Sequence, residues 1–248
     1  MIKISNYEMA KCLFDDTIVE KVYPLSIVDG YQSGEIFVDC INHPTFVLFW
    51  HYCGFAFVRG IFTKDIENDL FELLNTSASR HHNRMIFQME KECDAFENES
   101  IIRGHRYIFS FEKQCEKVIA PEGCQISQIT EENYNLISGN IIPSFSWANK
   151  EEFLKNGFGF CLMKGNEVLA CAFSAGISEE FVDIGIETNE KHRGDGYAKI
   201  VAAAMVDRIL KQGKKPVWAC DIRNESSMRV ACAVGFKIEG THPWYRLG

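Results

Sequence analysis

Apolar and polar positions along the chain change rhythm several times. Residues 34–39, 46–50 and 55–58 are short runs rich in Phe, Val and Ile, separated by turn-forming residues, and predict strands, the last of them ending at Gly60. The period then turns helical. Ile66, Leu70, Leu73 and Leu74 form one stripe behind an N-cap at Thr63, with Asp65, Glu67 and Asp69 placing negative charge at the positive end of the helix. Residues 106–111 predict a further strand. Pro121-Glu122-Gly123 is a turn sequence in a polar stretch, and it sets a boundary between a smaller α+β domain, 1–121, and a second domain, 122–248.

The second half has the clearer pattern. Residues 124–129 predict a strand, Thr130-Glu131-Glu132-Asn133 the start of a helix, and 151–156 a short helix stopped by Gly157. Residues 158–163 and 168–175 flank the turn Lys164-Gly165-Asn166-Glu167 and predict a hairpin, followed by a strand at 181–188. Residues 197–212 predict a helix, with Ile200, Val201, Ala204, Met205 and Ile209 on one face and Lys199, Asp207, Arg208 and Lys211 on the other. A strand at 216–220, a helix at about 225–234 and a last strand near 236–239 complete the order β-β-β-α-β-α-β. That order implies a mixed central sheet flanked by helices, in the α+β or α/β class.

Composition narrows the function classes. The 248 residues are 46% hydrophobic and 24% charged, the balance of a globular protein. The longest apolar run, 200–206, is far short of the ~20 residues a bilayer span needs, and the N-terminus does not read as a secretory signal. These features predict a cytoplasmic protein without a membrane partner. A formal net charge of −8 and no long Lys/Arg cluster argue against a nucleic-acid partner and suit a cationic or amine-bearing one.

Ten cysteines at 12, 40, 53, 93, 115, 124, 161, 171, 220 and 232 have no zinc-like spacing and read as reduced thiols, with Cys161 and Cys171 as small core residues. Neighbouring residues point apart on a helix or a strand, so the pair His81-His82 reads as surface. No metal is expected.

The informative chemistry lies between the third strand of the second half and its helix: Arg193-Gly194-Asp195-Gly196-Tyr197-Ala198. Two glycines let the backbone turn tightly and leave N–H groups free to point into a concavity at the positive end of a helix, a site for pyrophosphate. The same glycines would also serve a plain tight connection. A dinucleotide fingerprint fails, because its third glycine position holds Lys199, and no G-x-x-x-x-G-K-[ST] occurs.

The segment has the form R-x-x-G-x-A and resembles the acetyl-CoA pyrophosphate loop of the GNAT superfamily of N-acetyltransferases. Asn224-Glu225-Ser226-Ser227 followed by Gly235-Phe236 resembles that superfamily's second signature. The resemblance covers roughly residues 124–248. Gly157-Phe158-Gly159-Phe160-Cys161, Ala172-Phe173-Ser174-Ala175 and Ile184-Gly185-Ile186-Glu187-Thr188 are similar to the subgroup that includes the zwittermicin A resistance acetyltransferase, an antibiotic-resistance enzyme with an N-terminal extension.

The resemblance implies a GNAT acyl-CoA N-acyltransferase fold and an acetyl-CoA cofactor. Backbone groups of Ile186 and Thr188 would pair with the pantetheine arm. Amides of Arg193, Gly194, Gly196 and Ala198, in the loop that also holds Asp195 and Tyr197, would hold the pyrophosphate, with Asn224 and Ser227 close to the cofactor. The first 121 residues would be a degenerate copy of the fold or a wall of the acceptor site.

The implied reaction is acetylation of a primary amine of a small molecule by direct attack. The alternatives are acetylation of a protein lysine or N-terminus, or a catalytically silent acyl-CoA sensor. An alkylammonium with a pKa near ~10 must lose a proton first. Strand alternation puts Asp183 and Glu187 on one face, and Glu187, nearest the loop, is the candidate base. A backbone N–H near Thr188 would stabilise the oxyanion. The superfamily's usual Tyr general acid falls on Ala231, so no acid is named. Trp147, Ser174 and Tyr245, with His242 and Trp244, lie in segments that could line the acceptor pocket. The oligomeric state is not legible in the sequence.

Overall fold

A computed structural model of the chain describes residues 1–5, 20–60, 62–76, 84–96, 101–113 and 118–247. His81, His82, Cys12 and Cys115 lie outside the described residues, as do residues 6–8. The first half contributes strand β1 (Ile2–Ile4), helix α1 (Val22–Val28), strands β2 (Gly34–Val38), β3 (Phe46–His51) and β4 (Phe55–Gly60), helix α2 (Lys64–Thr76), and strands β5 (Met85–Gln88) and β6 (Ile102–Phe111). Helix α2 begins as its sequence predicts, with Thr63 Oγ1 accepting from the Ile66 amide (3.2 Å). Its apolar stripe is buried through Ile66, Leu70 and Leu74.

The second half contributes β7 (Gln125–Gln128), α3 (Lys150–Asn156), β8 (Gly159–Lys164), β9 (Glu167–Ile177), β10 (Phe181–Thr188), α4 (Tyr197–Lys211), β11 (Lys215–Val217), β12 (Ala219–Asp221), α5 (Glu225–Ala233) and β13 (Phe236–Leu247). The helix expected at Thr130 is only a 3-10 turn at Tyr134–Leu136. The Asn133 side chain explains this: it accepts from the Thr130 amide and donates to the Gln128 carbonyl, both at 2.8 Å, bonds that compete with a helical start.

The class is the expected mixture of helices and mixed sheets; among the described residues the strands of the second half divide between two sheets. Strands β11-β10-β9-β8-β7 form the first, and β1-β2-β3-β4-β5-β13-β6-β12 the second. The last strand, expected to end near residue 239, runs on to Leu247 and pairs with both β6 and β5. Gly240 and Pro243 hide this extension in the sequence. Pro243 is tolerated because β5 begins pairing only at Trp244, so at Pro243 only β6 forms a ladder. Thus β12 and β13, from beyond residue 121, complete the sheet of the N-terminal half.

The first sheet carries the larger core, where Cys161 and Cys171 face each other in register, both buried. Helix α4 packs across β8, β9 and β10. No helix of the described residues is long and apolar enough to cross a membrane.

Candidate active site

The two sheets separate at Trp218, the residue between β11 and β12. Strand β11 pairs with β10 only from Phe181 to Asp183, and β12 then leaves to join β6. From residue 184 to 188 the edge of β10 away from β9 therefore has no strand partner among the described residues. Such an edge presents unused N–H and C=O groups to an extended ligand. Opposite it opens a cavity of about 870 Å³, with β10 as one wall and Trp218, Ala219 and Asp221 on another. At ~3.3 Å per residue, the distance along β10 from Asp183 to Thr188 is roughly 17 Å, so the cavity has two chemically different ends.

At the Thr188 end the chain passes through a 3-10 turn (Glu190–His192) and reverses at Gly194 (φ 97°) and Gly196 (φ 81°) before α4 begins. A Cβ on either glycine would meet no atom within 4 Å. Their role is the left-handed backbone and the open concavity, not close packing. Gly194, Gly196, Tyr197 and Ala198 line the cavity; the Tyr197 and Ala198 amides open the first turn of α4 with no intrahelical acceptor, while Lys199 N donates to Gly196 O (3.2 Å). The Arg193 and Asp195 amides are partly engaged, with Glu190 O at 3.4 Å and His192 O at 3.5 Å. Asp195 is not among the lining residues; its carboxylate stands 3.7 Å from His192.

Asn224 and Ser227 also line the cavity, but both have internal work. Asn224 Oδ1 caps α5 by accepting from Ser227 N (3.1 Å), and Ser227 Oγ accepts from Trp218 Nε1 (3.0 Å).

The other end is built by both halves of the chain. Tyr23 of α1, Phe55 of β4 and Arg106 of β6 line it together with Phe145 and Asp183. The Tyr23 hydroxyl donates to Asp183 Oδ2 (2.6 Å), and its ring packs edge-on against Phe55 and His51. Arg106 Nε donates to Glu20 Oε1 (3.1 Å), and Nη2 to the Ala219 carbonyl (3.3 Å). Burial, with Glu20 nearby, pushes the Asp183 carboxyl up to about 7, against the opposing hydrogen bond from Tyr23 and the charge of Arg106. Burial also lowers His51 to about 3, lowers His242, and raises Tyr23 well above the ordinary phenol value.

Glu187 lines the cavity near the glycine loop, and its carboxylate is already occupied. Oε2 accepts from the amides of Asn140 and Ile141, both at 2.9 Å, and Oε1 lies 3.4 Å from Arg193 Nη2. Gly139 (φ 137°) makes this approach possible, since a Cβ there would sit 2.4 Å from Glu187 Cγ. These bonds tie loop 139–141 to the end of β10.

Ile186 and Thr188 line the cavity as expected. Trp147, Ser174 and Tyr245 do not. Trp147 is fully buried and donates from Nε1 to Ser174 O (2.7 Å), and Ser174 Oγ accepts from the Phe158 amide (3.0 Å). Tyr245 packs against Phe96 in the core of the eight-stranded sheet, where its hydroxyl donates to Glu92 and accepts from the Cys93 amide. Ala231 is buried in the core. Tyr23, Phe55 and Arg106 carried no signal as site residues in the sequence. Asp183 did: an acid inside the apolar run Phe181-Val182-Asp183-Ile184. Among the described residues no group of three or more His, Cys, Asp or Glu is placed to hold a metal ion.

The sequence profile described as GNAT acetyltransferase matches residues 11–245. The chain is 24% identical over 251 residues to the N-acetyltransferase YdfB of Bacillus subtilis, covering 98% of this chain and 96% of the relative. Among solved structures, a GCN5-related N-acetyltransferase-like protein from Streptococcus suis superposes with a TM-score of 0.75 at 19% identity, over 97% of each chain. A tandem GNAT protein from the clavulanic acid biosynthesis pathway gives 0.64 at 9% identity, over 99% of this chain and 97% of that one. At such identities these structures share the fold.

Proposed function

The chain belongs to the GNAT acetyltransferase family, and from that premise we propose that it moves the acetyl group of acetyl-CoA to a primary amine of a small molecule in a ternary complex. The observation that carries this reading is the unpaired edge of β10, which runs from the glycine loop directly to Asp183. Pantetheine, an amide chain about as long as roughly four residues, would span much of that edge when extended. Gly194, Gly196, Tyr197 and Ala198 would hold the pyrophosphate with backbone N–H groups, and Ile186 and Thr188 would pair with the arm. When bound, acetyl-CoA supplies an activated acyl group as a thioester.

This placement puts Glu187 beside the phosphates and Asp183 beside the acyl group. Asp183 then receives the proton that the acceptor ammonium must lose, and the Tyr23 hydroxyl fixes its carboxylate. Glu187 acts as a positioning residue that holds loop 139–141. Residues 1–121 serve as the acceptor-site wall through Tyr23, Phe55 and Arg106, while 122–248 carry the acetyl-CoA site. The narrower similarity to the zwittermicin A resistance subgroup and a cytoplasmic location belong to the same reading.

Thermal unfolding with acetyl-CoA, CoA and NAD in parallel, followed by thiol-release assays on an amine panel, tests it. Stabilisation by both CoA species and not by NAD, with thiol release on one or more small amines, is expected. Absence of any shift with CoA species would remove the acetyltransferase reading. Stabilisation without turnover would favour the sensor.

A further inference from the structure

The inner end of the cavity has an uneven charge balance. Among the described residues, the titratable groups that line it or stand directly behind it are Asp183, Tyr23, Arg106, Glu20, His51, Cys53 and His242. Burial keeps the Tyr23 phenol, the Cys53 thiol and the two imidazoles neutral near pH 7. Arg106 is matched inside the protein: its Nε is held by Glu20 (3.1 Å) and its Nη2 by the Ala219 carbonyl (3.3 Å). Once ionised, Asp183 is therefore, among the described residues of this end, the one charge without a cation of its own. Its bonding partners are the Tyr23 hydroxyl and the Ile184 amide, both neutral. Buried charge without a counter-ion is costly, so the site gains by receiving one cation.

The surroundings limit what else that cation can carry. Phe55, Phe145, Ala175 and Ile184 make the walls apolar. A second ammonium would find each described carboxylate at the cavity already paired: Glu20 through Oε1 with Arg106, Glu187 with Asn140, Ile141 and Arg193, and Asp221 with Arg223. A carboxylate on the acceptor would meet Arg106 with Glu20 already on its Nε, and would add negative charge beside the ionised Asp183.

Resting on the acetyltransferase reading, we propose that this end is a subsite for a compact amine bearing one positive charge and no carboxylate. Its ammonium sits on Asp183 and its carbon body lies against Phe55 and Phe145. Asp183 takes one proton from the ammonium, and the freed nitrogen lone pair forms the new C–N bond to the acetyl carbon. The C–S bond breaks, and a second nitrogen proton goes to the sulfur. The products are the N-acetylamine and CoA thiol, and Asp183 returns its proton to solvent.

The test uses the full chain with acetyl-CoA and compares kcat/KM for four acceptors: phenethylamine, 6-aminohexanoate, spermidine and an N-blocked lysine peptide. Phenethylamine should exceed each of the others by about tenfold or more. Preference for the amino acid, the triamine or the peptide overturns the proposal, as does acetyl-CoA binding with no turnover of phenethylamine. Absence of acetyl-CoA binding would instead defeat the underlying reading. Glu20→Gln gives a second readout, because it frees Arg106 to meet a carboxylate. The ratio of 6-aminohexanoate to phenethylamine turnover should rise by about fivefold, and an unchanged ratio in a folded variant contradicts the charge argument. If Glu20→Gln does not fold, the wild-type panel decides alone.

Discussion

Tyr23 and Asp183 are 160 positions apart in the sequence and meet at 2.6 Å, the phenol donating to the carboxylate. This bond joins α1, in the N-terminal half, to the strand that leads to the glycine loop. Burial pushes the Asp183 carboxyl up, and this bond, because it favours the ionised form, lowers the pH at which Asp183 becomes a proton acceptor.

Removing that donor should therefore move a titration. In Tyr23→Phe the acidic limb of kcat/KM shifts to higher pH, and activity at pH 7 falls by about tenfold or more, as expected for one lost hydrogen bond to a charged group. A pH–rate profile of the variant beside the wild type checks it. An unmoved limb would separate Tyr23 from the chemistry.

Asp183 also makes stability depend on pH. Its folded pKa, about 7, lies above the unfolded value near ~3.9, so between these values the folded state binds more protons than the unfolded one. The contribution from this group is thus most favourable at low pH and is lost as pH rises through 7. In Asp183→Asn that loss is absent, so its Tm relative to wild type should rise by roughly 4 °C or more between pH 5 and pH 8. Parallel Tm curves would contradict the assignment.

Glu187 is predicted to position and not to exchange protons. Glu187→Gln retains an oxygen for the Asn140 and Ile141 amides, so the acidic limb should stay where it is in wild type. Gly139→Ala would force its methyl onto Glu187 and demand an unfavourable backbone angle. It should raise the KM for acetyl-CoA by about tenfold while lowering kcat less. Loss of the limb in Glu187→Gln would restore it as the base.

Gly196→Ala separates backbone strain from ligand binding. A left-handed alanine costs ~1–2 kcal/mol, and its methyl would stand in the open concavity where nothing lies within 4 Å. Tm should fall by about 3–6 °C. Affinity for CoA should fall by about tenfold or more, since the methyl occupies space needed for close backbone approach. Unchanged affinity would place the pyrophosphate elsewhere.

Much of this was legible in the sequence where the signal is local. The glycine loop, α4, the β8–β9 hairpin and the start of α2 each follow from residues within one or two turns of each other. The extent of β13 was hidden because Gly240 and Pro243 interrupt its pattern, and only the position of β5 shows why proline is tolerated. Alternation grouped Asp183 with Glu187 but gives a face and not a neighbour. Loop 139–141, distant in sequence, is what occupies Glu187. Tyr23 could not be found at all, because its helix reads as an apolar Val22-Tyr23-Pro24 segment and its partner is a long-range one.

The most direct test of the account pairs calorimetric titration of acetyl-CoA with amine-dependent thiol release, on wild type and Asp183→Asn. Acetyl-CoA should bind both proteins with Kd values within about twofold, while turnover in the variant falls by about a hundredfold or more. Equal turnover in the two proteins, or no binding of acetyl-CoA to the wild type, would contradict it.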